Sequence, residues 1–300
     1  MDGFLNILKP TGMTSHDVVK VLRRILNEKK TGHTGTLDPM AVGVLPVGIG
    51  SATKITEYLD NDFKKYRCEL ILGRITDTGD IWGNLLEERP VGVYSEKEIR
   101  AFEQEYQGEI LQTPPMYSAV RVGGKRLYEY ARNGENVEVK ARAVTIRELK
   151  ILKVEGKRIL FDVVCSKGTY VRTICTEMGE KLGCGAAMSF LARTGSGRFT
   201  MENTVTFEEL EAHLAKGLPG EALLLPVDYP IAGYRKAALT SPQARKFVNG
   251  GHLKLSEIQI DFLRGTQYYR VYDGEQFLGM AYVNTATRRL VPHKVFYRDF

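Results

Sequence analysis

The chain has 300 residues, 43% of them hydrophobic and 26% charged, with a formal net charge of +6; this is an ordinary globular composition, long enough for one large domain and a smaller one. The opening MDGFLNILKP lacks the basic and apolar regions of a signal peptide, and no stretch approaches the roughly 18 apolar residues of a membrane-spanning helix, so a cytoplasmic location is expected. Four cysteines without Cys-x-x-Cys spacing and five scattered histidines argue against a zinc site or a disulfide framework, and the thiols are expected to be reduced and packed as small hydrophobes.

Along the chain, GFLNILK reads as a strand that leads through Pro10 and Gly12 into a helix at about Thr14 to Asn27. Thr14 or Ser15 can cap it, and Val18, Val19, Leu22, Ile25 and Leu26 form its apolar stripe. FKKYRCELILG alternates as a second strand, with Tyr66, Cys68, Leu70 and Leu72 on one face and Arg67 and Glu69 on the other. TDTGD at 76 to 80 is a turn, and Ser95 to Gln107 a capped amphipathic helix. RILFDVVC is a strand, Ser166 to Gly168 a turn, and the following helix carries the stripe Val171, Ile174, Cys175, Met178 and Leu182 with Thr169 as expected N-cap. Arg172 then falls in the first helical turn, where the dipole disfavours a cation unless an anion is brought to it.

Charge is unevenly spread. Residues 1–232 hold 31 Lys/Arg and 31 Asp/Glu, whereas residues 233–300 hold 11 and 5. Ser241-Pro242 starts a short helix ending at Gly250-Gly251, YYRVY and FLGMAYV flank Asp273-Gly274 as a hairpin, and LVPHKVF adds a strand. A small β-rich module with a basic surplus fits RNA binding, although charge alone equally allows a solvated basic face. The segment 112–140 interleaves Arg121, Lys125, Arg126 and Arg132 with Tyr117, Tyr128 and Tyr130. Such a pattern suits backbone contact plus base stacking, and equally a surface loop with snorkelling tyrosines.

Two nucleotide-binding signatures fail. GVLPVGIG has Ile and Gly where a phosphate-binding loop needs Lys and Ser/Thr, and GIGSAT has Thr53 in place of the third glycine of a dinucleotide fingerprint. Asp77 and Asp80 could hold a metal but read better as turn residues. His33 is open to two readings, a general base or a polar contact.

What remains is GHTGTLDPMAVGVLP, residues 32–46, in which Asp38 is the one carboxylate. Hydrolysis of a glycosidic bond ordinarily needs two carboxylates. Breaking and remaking such a bond without net hydrolysis needs one, to attack or stabilise the anomeric carbon, in a pocket that excludes water and without a cofactor or metal.

These residues resemble the bacterial TruB family, the tRNA pseudouridine-55 synthases. GHTGTLDPMAVGVLP is similar to the family's catalytic motif, LNILKPTGMTSHD to its N-terminal motif, KKYRCELILGRITDTGD to its tyrosine motif and SKGTYVRTICTEMG to its arginine motif; QTPPMYSAVRVGGKRLYEYAR resembles the RNA-gripping insertion and the tail a PUA domain. The resemblance implies an α+β fold: a mixed, largely antiparallel sheet flanked by helices over residues 1–232, with the insertion at 112–140, and a small C-terminal β-barrel at 233–300. It implies that Asp38 engages C1′ of the target uridine, that Tyr66 stacks on the base and helps remove the C5 proton, and that Arg172 pairs with a buried Asp38. His33 would help open the T-loop, Tyr170 and Leu191 line the pocket, Lys9 and Lys54 brace the catalytic loop or meet phosphates, and Arg126 grips RNA. The implied substrate is the T-arm of tRNA, its uridine flipped out, with no cofactor, no membrane, no obligate protein partner and a monomeric enzyme. A guide-RNA-dependent relative and an RNA-folding chaperone are the alternatives.

Overall fold

In the computed structural model, which describes residues 1–59, 63–135, 137–263, 265 and 267–296, the first two hundred residues build one large mixed sheet. Residue 136 of the insertion and 297–300 of the tail lie outside the described residues. In chain order the elements are β1 (Gly3–Lys9), α1 (Ser15–Ile25), β2 (Thr31–His33), β3 (Val42–Ile49), a 3-10 helix (Gly50–Tyr58) and β4 (Lys64–Leu72). A small hairpin of β5 (Arg74–Thr76) and β6 (Leu85–Glu88) precedes α2 (Glu96–Glu105), β7 (Gly108–Gln112), the insertion's hairpin β8 (Arg121–Val122) and β9 (Lys125–Arg126), and α3 (Leu127–Arg132). Then come β10 (Arg142–Glu155), β11 (Arg158–Cys165), α4 (Val171–Lys181), β12 (Ala186–Ser196), β13 (Phe199–Thr200) and α5 (Phe207–Ala215).

Strand order in the large sheet is β1-β3-β12-β4-β11-β10-β7, with β2 on β3 and β13 on β12. Every pairing is antiparallel except β12 with β3. The expected alternation of β4 holds: Tyr66, Cys68, Leu70 and Leu72 are buried and join the core with the α1 and α4 stripes. Helix α1 starts where its side chains dictate. Thr14 accepts from the Asp17 amide and the Asp17 carboxylate from the Thr14 amide, a reciprocal cap. All four cysteines are free and buried, Cys68 on β4 meeting Cys175 on α4 at 3.5 Å between sulfurs.

Residues beyond 232 form β14 (Arg235–Leu239), α6 (Ser241–Val248), β15 (Leu253–Lys254), β16 (Gln259–Ile260), β17 (Tyr269–Asp273), β18 (Gln276–Asn284) and β19 (Arg289–Val295). The expected hairpin and final strand are β17–β18 and β19. The six strands pair along a path from β15 to β16 and form, among the described residues, a curled half-barrel, in keeping with the small β-barrel module expected. This module has its own core around Phe247, Tyr269 and Leu278, and meets the large sheet through a shared cluster of Phe4, Tyr58 and Phe199 with Ile231, Tyr272 and Met280. No helix among the described residues is long and apolar enough to cross a membrane.

Candidate active site

The loop between β2 and β3 carries Asp38, and nearly every residue of it is tied down. Lys9 Nζ donates to the carbonyls of Pro10 at 2.8 Å and Pro39 at 3.0 Å, and the Gly12 amide also reaches Pro39 O. The Thr11 hydroxyl donates to Met40 O. Ser15 grips Leu37 from both sides, its hydroxyl accepting from the Leu37 amide at 2.8 Å and donating to the Leu37 carbonyl at 3.2 Å. The segment before α1 is thus a brace for the Asp38 loop. Closure at the far stem needs a glycine: Gly43 has φ +107°, and a Cβ there would lie 2.3 Å from the Arg193 carbonyl.

Arg172 supplies the anion's partner. Its Nη2 lies 3.1 Å from Asp38 Oδ2, and its Nη1 3.4 Å from Asp80 Oδ2. Nη1 also donates to Thr78 O and Nη2 to Tyr117 O. The misplaced cation of α4 is therefore held by two carboxylates and two carbonyls, which overcomes the unfavourable dipole. Two expectations change here. Asp38 is not buried, its side chain being 39% exposed while Arg172 is 6% exposed, because the loop presents it at the sheet's rim. Nor does the carboxylate stand alone: Asp80, expected as a turn residue, does hold its turn through the Thr78 hydroxyl and the Trp82 amide, and its other oxygen faces the guanidinium.

A third correction concerns the cap of α4. Tyr170, not Thr169, is the N-cap. The Thr169 hydroxyl is spent within its own turn on Ser166 O, and buried Gln112 covers the helix start instead, accepting from the Tyr170 amide at 2.7 Å and donating to its carbonyl at 3.1 Å. Gln112 ends β7 at the root of the insertion, so the arginine helix and the insertion share one joint.

Tyr66 on β4 is 7% exposed and Leu191 on β12 6%, and the two lie on adjacent strands, Leu191 opposite Cys68 and Arg193 opposite Tyr66. Burial pushes the Tyr66 hydroxyl above the ordinary tyrosine range. His33 ends β2 half-buried, its Nδ1 without a hydrogen-bond partner among the described residues, and burial with the nearby Arg193 and His16 holds it below the ordinary histidine range, hence neutral. Lys9 is fully buried; desolvation lowers it to about 8, against the opposing pull of Asp38. Lys54 departs from expectation. It lines a separate cleft with Lys29, Lys30, Gly50 and Ser51 that includes no residue of the Asp38 loop, because the 3-10 helix carries it past the other end of β3.

In the insertion, Arg126 and Arg132 lie over the Tyr128 ring and Lys125 over Tyr130, while Leu127 roots the segment in the protein. Asp80, Gln112, Ser15 and Arg193 were missed as site residues. A readable signal existed for Arg193 alone: it stands two residues after Leu191 on one strand, an arginine on an inward face.

The presented carboxylate, the buried arginine and the buried tyrosine are carried by a mixed α/β fold of the pseudouridine-synthase class. The fold aligns with the crystal structure of a Cbf5-Nop10-Gar1 complex at TM-score 0.76 and 27% identity over 99% of this chain and 85% of that one, and with an H/ACA RNP bound to a substrate RNA containing 2'-deoxyuridine at 0.76 and 25% over 99% and 86%. The profile of the TruB family pseudouridylate synthase N-terminal domain matches residues 23–171, and that of the tRNA pseudouridylate synthase B C-terminal domain matches 172–232. Relatives named tRNA pseudouridine synthase B include those of Alkaliphilus oremlandii (48% identical, 94% of this chain and 93% of the relative) and Moorella thermoacetica (43%, 98% and 98%). The chain belongs to the TruB family of pseudouridylate synthases.

Proposed function

We propose that this enzyme converts the uridine at position 55, in the T-loop of tRNA, to pseudouridine, acting alone and without cofactor or metal. The observation that carries the reading is the Asp38–Arg172 pair at 3.1 Å, with buried Tyr66 within reach of the Asp38 charge. Asp38 acts on the sugar as the N1–C1′ bond breaks, either forming an ester at C1′ or, in the glycal route, taking the C2′ proton as the C1′=C2′ double bond forms and returning it when C5 joins C1′. Arg172 keeps the carboxylate ionised and aimed. The uracil turns within the pocket, C5 joins C1′, and removal of the C5 proton restores the ring; Tyr66 stacks on the base and assists that last step. Leu191 and Tyr170 line the pocket and help exclude water, and neutral His33 contacts the opened loop.

Residues 1–232 form the catalytic unit in this reading and 233–300 an RNA-binding module. Arg126 and its aromatic neighbours at 112–140 grip the T-arm, Lys9 braces the loop, and Lys54, away from it, meets phosphate. The insertion supplies an RNA grip within the chain, which favours a stand-alone cytoplasmic monomer over a guide-dependent assembly. Tritium release from a T-arm hairpin labelled at uridine C5 tests the reading. Release by the isolated wild type and none by Asp38→Asn is expected; tight RNA binding without release by the wild type would refute it in favour of an RNA-folding role.

A further inference from the structure

Among the described residues three arginines are buried, and they are not alike. Arg172 meets Asp38 and Asp80, and Arg270 meets Asp228 at 3.0 Å. Arg193, 0% exposed and the largest fully buried side chain, has no carboxylate partner among the described residues. A buried cation without a counter-ion is costly to folding. Retaining one calls for a use.

Its position indicates which. On β12 it stands opposite Gly43 of β3 on one side and opposite Tyr66 of β4 on the other. Nε donates to Val44 O at 2.7 Å and Nη1 to Thr36 O at 3.3 Å, so one guanidinium holds both stems of the Asp38 loop. Nη2 is buried and has no acceptor among the described residues. The charged and titratable groups facing Tyr66 are Arg193 from β12, Cys165 from β11 and Asp38 from its loop. Lys9 and His33 face the guanidinium in turn.

We propose that Arg193 is a positioning residue that locks the Asp38 loop to the Tyr66 strand and, through its free N–H, faces the tyrosine oxygen when that oxygen is negatively charged. The inference rests on the reading above, in which Tyr66 assists removal of the C5 proton, and takes that assistance to be acceptance of the proton by the tyrosine oxygen. Ionised, the tyrosine oxygen forms an O–H bond to that proton, the C5–H electron pair closes the C5=C6 double bond, the former N1=C6 pair moves onto N1, which takes a proton from solvent, and the phenol returns its own proton to solvent. Burial opposes the ionised tyrosine, and Arg193 is the strongest charge offsetting it.

The test is single-turnover isomerisation of a T-arm hairpin between about pH 6 and 10 with wild type, Arg193→Met, Arg193→Lys and Tyr66→Phe, alongside RNA affinity and Tm. Burial holds Tyr66 above the ordinary tyrosine range, so the rate rises with pH across this window. Arg193→Met is expected to lower the rate by at least about tenfold throughout, within the span of general-base catalysis, at unchanged RNA affinity. Arg193→Lys, which keeps the charge and loses the fork, restores part of that loss. A Lys variant as slow as Met shows that only structure was lost, and overturns the proposal, as does a wild-type rate in Arg193→Met. If Arg193→Met does not fold, the Lys variant decides: a lower rate that still rises with pH supports the clamp, and a wild-type rate overturns it. Tyr66→Phe separates the two levels. A wild-type rate in Tyr66→Phe refutes the role of Tyr66 itself, whereas an inactive Tyr66→Phe with Arg193→Met and Arg193→Lys equally slow refutes this inference alone.

Discussion

Asp80→Asn isolates one arm of the Arg172 network. Asparagine keeps an oxygen where Asp80 Oδ1 accepts from the Thr78 hydroxyl at 2.8 Å and the Trp82 amide at 3.2 Å, so the turn survives. Lost is the carboxylate oxygen 3.4 Å from Arg172 Nη1, replaced by an NH2 that faces a donor. A hydrogen bond to a charged group contributes about 1.5–3 kcal/mol. Because 3.4 Å exceeds the usual charge-assisted distance, about 1–2 kcal/mol is the better figure here. Arg172 retains Asp38 and two carbonyls, so the guanidinium stays buried but freer to rotate. If that looseness falls on the transition state, kcat drops about 5–30-fold. Single-turnover tritium release measures it, with RNA affinity and Tm as controls. An unchanged rate at unchanged Tm would refute the idea that Asp80 aims Arg172, and so would a loss confined to RNA affinity.

Asp38→Asn should abolish product while lowering stability by less than about 1 kcal/mol, since its side chain is 39% exposed; Arg172→Met, which strands Asp80 at 13% exposure, should cost about 3–5 kcal/mol in a urea melt. Loss of folding in Asp38→Asn would make that carboxylate structural. Arg126→Ala should weaken tRNA binding and reduce the slope of log affinity against log salt by about 1, and an unchanged slope would remove Arg126 from the phosphate contacts. Lys9 binds its proton less tightly folded than unfolded, with its folded value at about 8 against 10.5, so its share of stability is present above 10.5 and lost as pH falls through 8. Lys9→Met removes that dependence: its stability advantage over wild type should shrink as pH rises through this window, and parallel curves would contradict it.

Local order was legible because short-range chemistry fixes it. The cap at Thr14, the alternation of β4, the α4 stripe and the Asp273-Gly274 hairpin each follow from neighbours a few residues apart. Thr169 failed as a cap because the competing partner for the helix start, Gln112, lies 58 residues away. The same limit explains the site. Asp38, Tyr66 and Arg172 were legible as an odd carboxylate, an inward tyrosine and a misplaced cation, each anomalous in its own segment.

Asp80 was not anomalous, being a turn residue in a turn, and only the packing of α4 against that turn brings it to Arg172. The reach of Lys54 likewise depended on where the 3-10 helix points. By itself the sequence determined the segments, their faces and the three unusual side chains, since propensity, periodicity and local hydrogen bonding act over one or two turns of chain. Tertiary structure decided which groups share a site: the pairing of β12 with both β3 and β4 puts Arg193 between the Asp38 loop and Tyr66, a juxtaposition of segments more than a hundred residues apart that no local rule encodes.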